Sequence, residues 1–189
     1  LWCWGYNEHG KSGTGIYDDY LMTPNLVLID ENETITEVAV GNDHKCALTE
    51  TNRVYCWGNN NYGQALLSHS GSVETPYLVE FDDEIIPVSI SGKYDHTCIL
   101  NNNGAVYCWG YNAYGQLGDG TQTNRYEIVQ SILPSSDPAV KLVAGYYHTC
   151  ALLESGEMRC WGRNNFGQIG VESDTPCLLY TSDAADERN

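Results

Sequence analysis

Short apolar or β-branched runs, set apart by clusters of Gly, Asn and Asp, recur along the whole chain. Extended segments alternating with turn-forming residues predict strands, and no helical apolar period holds anywhere. One set of runs surrounds Cys46, Cys98 and Cys150, and a second ends at Trp57, Trp109 and Trp161. Each pair is followed by a polar turn and a further strand, as at 76–81 and 126–129, and another strand leads into the next unit at 35–40, 86–90 and 140–144. Four strands in about 52 residues make one propeller blade.

The units are copies of one another. GNDHKCALTETNRVYCWGNNNYGQ from Gly41 aligns with segments beginning at Tyr94 and Gly145, and a partial copy opens at Trp2. Trp4-Gly5, Trp57-Gly58, Trp109-Gly110 and Trp161-Gly162 are separated by steps of 53, 52 and 52 residues. The fold expected is therefore all-β, a propeller segment with a partial blade at 1–34, repeats at approximately 35–85, 86–138 and 139–182, and a tail at 183–189. A lone four-stranded sheet cannot bury both faces, so neighbouring blades must stack. Three to four blades are fewer than most closed rings need, and both ends look cut; missing sequence or another chain is expected to complete the ring.

Six of the eight cysteines fall into pairs ten residues apart: Cys46/Cys56, Cys98/Cys108 and Cys150/Cys160. If each pair faces across a hairpin, the loops are 50–52, 102–104 and 154–156, ending in Asn52, Gly104 and Gly156. These residues tolerate the left-handed conformation that a three-residue hairpin loop requires at its end. Three cross-strand disulfides follow, with reduced structural cysteines and metal sites as the other readings. Disulfides imply an oxidising setting, so the expected location is secreted, periplasmic or cell surface. Cys3 and Cys177 are unassigned, and Asn32 begins a candidate glycosylation acceptor, Asn32-Glu33-Thr34. The paired spacing with His44, His96 and His148 is not a usual zinc pattern, so no metal or cofactor is expected. Equivalent histidines in equivalent units read as scaffolding bonded to neighbouring backbone, and the Trp side chains, Trp4 included, as filling between blades.

Charge narrows the function. The 189 residues carry a formal net charge of -16, from 9 Lys+Arg against 25 Asp+Glu. Such a surface repels phosphate backbones, which disfavours nucleic acid as a partner. No apolar run is long enough for a membrane span. No nucleophilic triad, Walker loop or metalloprotease pattern occurs, so an enzyme is not expected. Acidic stretches at Asp18-Asp19, Asp82-Asp83 and Gly118-Asp119-Gly120 are calcium candidates that complete no known loop pattern.

The sequence resembles the regulator-of-chromosome-condensation repeat family. The hallmark appears as Gly145, His148, Thr149, Ala151, Leu152, Gly156, Trp161, Gly162, Asn164, Phe166, Gly167 and Gln168, and again from His96 to Gly118. The resemblance implies a propeller, commonly of seven blades when complete, whose members work mainly through a surface. Gly92 stands four residues before His96 instead of three, which suggests a bulge. The expected function is a non-enzymatic extracellular binding or structural propeller for protein or glycan. Guanine-nucleotide exchange or chromatin-associated regulation is one alternative, and a filament or assembly of neighbouring copies is another. The candidate contact loops are 6–20, 59–75, 111–125 and 164–175, with Tyr6, Asn60, Tyr62, Tyr111, Tyr114, Asn164 and Phe166 as the contact residues.

Overall fold

A computed structural model describes residues 1–16, 18–170 and, for the last strand, the backbone of 177–181. A two-stranded sheet joins β1 (Trp2–Tyr6) to β2 (Tyr20–Leu26), with one short 3-10 turn between them at Glu8–Gly10. Three four-stranded antiparallel sheets follow. The first holds β3 (Ile35–Val40), β4 (His44–Thr49), β5 (Val54–Asn59) and β6 (Ser72–Val79). The second holds β7 (Pro87–Lys93), β8 (His96–Asn101), β9 (Val106–Gly110) and β10 (Arg125–Gln130), and the third β11 (Ala139–Ala144), β12 (His148–Leu153), β13 (Met158–Gly162) and β14 (Cys177–Thr181). Within each sheet the strands lie in chain order, and β7 packs beside both β3 and β11, so the sheets resemble successive propeller blades.

Turn chemistry sets the register of the central hairpins. Thr49 donates its N–H to the Arg53 carbonyl at 2.9 Å, Asn101 to Ala105 at 2.8 Å and Leu153 to Glu157 at 2.8 Å. The loops end in Asn52 (φ 63°), Gly104 (φ 80°) and Gly156 (φ 88°), all left-handed. That closure puts Cys46 opposite Cys56, Cys98 opposite Cys108 and Cys150 opposite Cys160, and the three pairs are disulfide-bonded. Cys3, in β1, is a free, half-buried thiol. The pairing of Cys177 lies outside the described side chains.

The Trp-Gly step breaks the outer ladder of each blade. At Gly110, φ is 101° and an added Cβ would lie 2.5 Å from the Asp95 carbonyl oxygen, so only glycine fits there. The bulge expected at Gly92 is absent: Gly92 pairs with Thr97 in an unbroken ladder, whose irregularity lies between Pro87 and Ser89. The extra residue is taken up by a tight turn at Tyr94-Asp95, with Lys93 opposite His96 and Tyr94 at φ 54°.

Two kinds of contact hold one blade to the next. Trp57, Trp109 and Trp161 are fully buried, and their indole N–H groups donate to the carbonyls of Lys11 (3.1 Å), Gln64 (3.0 Å) and Gln116 (2.9 Å) in the preceding unit. Trp4 does not join this core. It is 61% exposed, because a Trp fills its pocket only against a preceding unit and β1 has no such neighbour among the described residues. The second contact links His44 Nε2 to the Thr97 hydroxyl at 2.7 Å and His96 Nε2 to that of Thr149 at 3.1 Å. The histidines thus bond side chains of the next blade, with the backbone of Tyr94 beside His44 and that of Lys93 beside His96. His148 is half-buried with no such hydroxyl among the described residues.

Candidate functional site

Each Trp-Gly step opens into a loop organised by a buried asparagine. Asn60 Oδ1 accepts the Ala65 N–H at 3.0 Å while its Nδ2 donates to the Leu67 carbonyl at 3.1 Å. Asn112 accepts from Leu117 at 2.9 Å and donates to the Thr121 and Thr123 carbonyls, and Asn164 accepts from Ile169 at 3.1 Å. Asn60 and Asn164 are therefore not contact residues: the Asn60 amide and the Asn164 Oδ1 are used in closing the loops, and both side chains are buried. Asp119 is likewise committed, accepting from Thr121 and from Arg125 Nε at 2.7 Å.

The same closure turns aromatic residues outward. Tyr62 meets Tyr111 at a centroid distance of 4.9 Å, Tyr111 meets Tyr114 at 6.3 Å, and both meet Tyr147, at 6.2 and 5.1 Å. Tyr147 continues to Tyr94 at 4.7 Å, and Tyr94 to Tyr146 at 5.8 Å. The Arg163 guanidinium lies over Tyr114, Tyr147 and Phe166 at 5.0, 5.2 and 5.5 Å, and Lys93 Nζ lies 5.5 Å from the Tyr146 ring centre. Tyr62 is 39% exposed, Tyr146 59% and Phe166 83%, so the strip faces solvent. A cavity of about 130 Å³ lined by Gly41, Asn42, Lys93, Tyr94 and Tyr146 opens beside it. Tyr6 stands apart, against Tyr20 at 5.3 Å and under Lys11 Nζ at 4.4 Å.

Tyr94, Tyr146, Tyr147, Arg163 and Lys93 were missed among the contact residues, though the repeat carries a signal for one of them. The residue before each histidine is Asp43, Asp95 and then Tyr147. Lys11 pairs with Asp43, and Gln64 Nε2 donates to Asp95 Oδ1 at 3.1 Å. At the third position Tyr147 replaces the carboxylate and leaves the buried Gln116 Nε2 without a partner among the described residues. The repeat is broken where the aromatic strip is densest.

Burial, with Asp43's charge nearby, pushes Asp95 up to about 6. Burial alone would raise Asp43, but hydrogen bonding and charge from Lys11 hold it below the usual carboxylate range. A hydrogen bond to Tyr94 and burial push Tyr147 up to about 12. His44 and His96 are driven down to about 3 by burial, each also repelled by the next histidine, so both are neutral.

Among the described residues no group of three or more His, Cys, Asp or Glu is placed to hold a metal ion, and no helix is long and apolar enough to cross a membrane. Asn32 is exposed, its side chain hydrogen-bonded to Asp30 Oδ1 at 2.9 Å. Tyr17, the 171–175 part of the last candidate loop and the tail at 183–189 lie outside the described residues.

Stacked four-stranded blades with an outward aromatic strip define a repeat-built all-β scaffold that presents a surface. The chain belongs to the family of regulator of chromosome condensation (RCC1) repeats, whose models match 1–48 and 103–152 in one form and 35–64, 88–116 and 139–168 in another. It is 31% identical over 174 residues to the ultraviolet-B receptor UVR8 of Arabidopsis thaliana, covering 89% of this chain and 38% of the receptor. It is 34% identical over 147 residues to the X-linked retinitis pigmentosa GTPase regulator of Canis lupus familiaris, covering 76% of this chain and 14% of that protein. Yeast RCC1 (Prp20), solved bound to Kap60, superposes with a TM-score of 0.79 at 20% identity, over 94% of this chain and 43% of that one. The chain thus spans less than half the length of these relatives.

These comparisons overturn the secreted, periplasmic or cell-surface location. The structural relatives, yeast RCC1 solved with Kap60 and Prp20p described with Gsp1p and histones, are themselves proteins of an intracellular, nuclear-associated setting. The physical reason lies in the hairpin: its register brings the cysteines face to face whatever the compartment, so their ten-residue spacing does not report on location.

Proposed function

We propose that this chain is the partner-binding part of an intracellular regulatory protein, of the guanine-nucleotide-exchange or chromatin-associated kind, acting through the tyrosine strip. The observation that carries this reading is the strip itself: six tyrosines from four loops, with Arg163 and Phe166, held by buried asparagines and disulfide-closed hairpins. Tyrosine gives a large amphipathic contact area at low entropic cost, and tyrosine and arginine are enriched where binding energy concentrates. A GTPase regulator and a Kap60-bound RCC1 among the relatives support the regulatory setting. The likeness to longer propellers also supports placing these blades in a larger ring.

The test is site-specific photocrosslinking in cells, with benzoylphenylalanine at Tyr62 or Tyr146 and, as control, at Tyr77 on β6. A discrete adduct from the strip, absent from Tyr77 and identified as a small GTPase, its transport machinery or a chromatin protein, is expected. Adducts from Tyr77 equal to those from the strip, or none from the strip, would overturn the proposal.

A further inference from the structure

Cations are scarce in this protein, 9 against 25 carboxylates, and half of those described are already engaged. Lys11, Arg53, Arg125 and Arg159 are each held by an acidic side chain. Arg163 and Lys93 differ: both lie on tyrosine rings of the strip, and neither forms an ion pair among the described residues. The Arg163 Nε is buried and has no hydrogen-bond partner among the described residues. A guanidinium stacked on aromatic faces is held by its plane while its in-plane N–H groups stay available, a geometry suited to carboxylates. Lys93 and Arg163 flank the Tyr146–Tyr147 pair, whose centroids are 6.4 Å apart.

We propose that the strip takes an acidic peptide segment of the partner, its carboxylates meeting Arg163 and Lys93 and its apolar side chains lying across the tyrosines. This rests on the reading of the strip as a protein-binding surface and adds the chemistry of what it binds. The net charge of -16 repels such a segment from most of the surface. With a screening length of about 8 Å at physiological salt, the two local cations govern contact at the strip. A basic segment meets the opposite situation: the general field draws it in, but Arg163 already covers the faces of Tyr114, Tyr147 and Phe166.

The test uses three fluorescein-labelled peptides in which Leu alternates with Glu, Gln or Lys, measured by fluorescence anisotropy at physiological salt. The wild-type chain is compared with Arg163→Gln, Lys93→Gln, the double variant and Lys141→Gln, with circular dichroism to verify that each is folded. The Glu peptide should bind tightest and should lose about tenfold in affinity in the double variant, in line with the loss of charge-assisted hydrogen bonds, while Lys141→Gln leaves it unchanged. Glu-peptide binding indifferent to Arg163 and Lys93, tighter binding of the Lys peptide, or no binding of any peptide overturns the inference. A Gln or Lys peptide that binds and is released by Tyr147→Ala overturns the acidic specificity while leaving the strip a protein-binding surface. Dimerisation lost in Arg163→Gln, without Glu-peptide binding, assigns the strip to a second copy and overturns the inference as well.

Discussion

Lowering the pH from about 7 to about 5 should destabilise this protein through two histidines, before most of its carboxylates titrate. His44 and His96 are fully buried, each hydrogen-bonded to the threonine of the next blade, with values driven down from 6.5 to about 3. A base depressed in the folded state contributes stability that is complete above its unfolded value and is lost as the pH falls towards the folded one. Between ~pH 7 and ~pH 5 the unfolded chain takes up nearly one proton per histidine that the folded chain refuses, costing about 2 kcal/mol each, or about 4 kcal/mol together. Asp95 works the other way. Its folded value of about 6 lies above the unfolded one, so protonation in the folded state returns stability as the pH falls. After allowance for solvent screening that return is about 1 kcal/mol at most, leaving a net loss of about 3 kcal/mol. Urea unfolding followed by fluorescence of the buried Trp57, Trp109 and Trp161 at a series of pH values measures it. His44→Gln should cut the net pH dependence to about a third, leaving about 1 kcal/mol, and Asp95→Asn should steepen it. Unfolding free energy that stays level over this range, or a slope unchanged in His44→Gln, would refute the reasoning.

Replacing Cys98 and Cys108 by Ser should cost about 2–3 kcal/mol, the loop-closure entropy of a short ring, read as a lower urea midpoint that reducing agent does not lower further at that blade. Gly104→Ala and Gly156→Ala separate two effects. Both glycines are left-handed, but an added Cβ at Gly104 would lie 2.3 Å from Pro138 Cβ whereas Gly156 faces open space. The first should therefore cost more than about 2 kcal/mol and the second about 1 kcal/mol in thermal melts, and equal costs would refute the close-approach argument. Trp109→Phe should cost about 2–3 kcal/mol, from a lost indole hydrogen bond and a cavity at a fully buried site, while Trp4→Phe should change stability by less than about 0.5 kcal/mol. Equal urea midpoints for these two variants would show that Trp burial does not govern blade stacking.

The blade was legible because its information is local and repeated. Strand runs, hairpin loops ending in Asn52, Gly104 and Gly156, and cysteines ten residues apart all follow from period and turn chemistry, which act over a few residues. Those same local rules determined which cysteines face one another. They did not determine location, since register fixes which cysteines face one another and not the redox state of the compartment.

What lies between blades was decided only in three dimensions. Trp4 carries the same motif as Trp57 yet is exposed, because burial depends on a neighbour about 45 residues away in sequence, as with Trp109 and Gln64. Asn60 and Asn164 are polar loop residues of the kind that usually face a partner, but the backbone groups of their own tight loops claim them first. The tyrosine strip joins Tyr62, Tyr111 and Tyr147, side chains of different units that no local rule relates. The sequence by itself determined the strands, their turns and the disulfide register. Tertiary stacking alone decided which aromatic residues are core and which are surface, because that depends on what the next blade places against them.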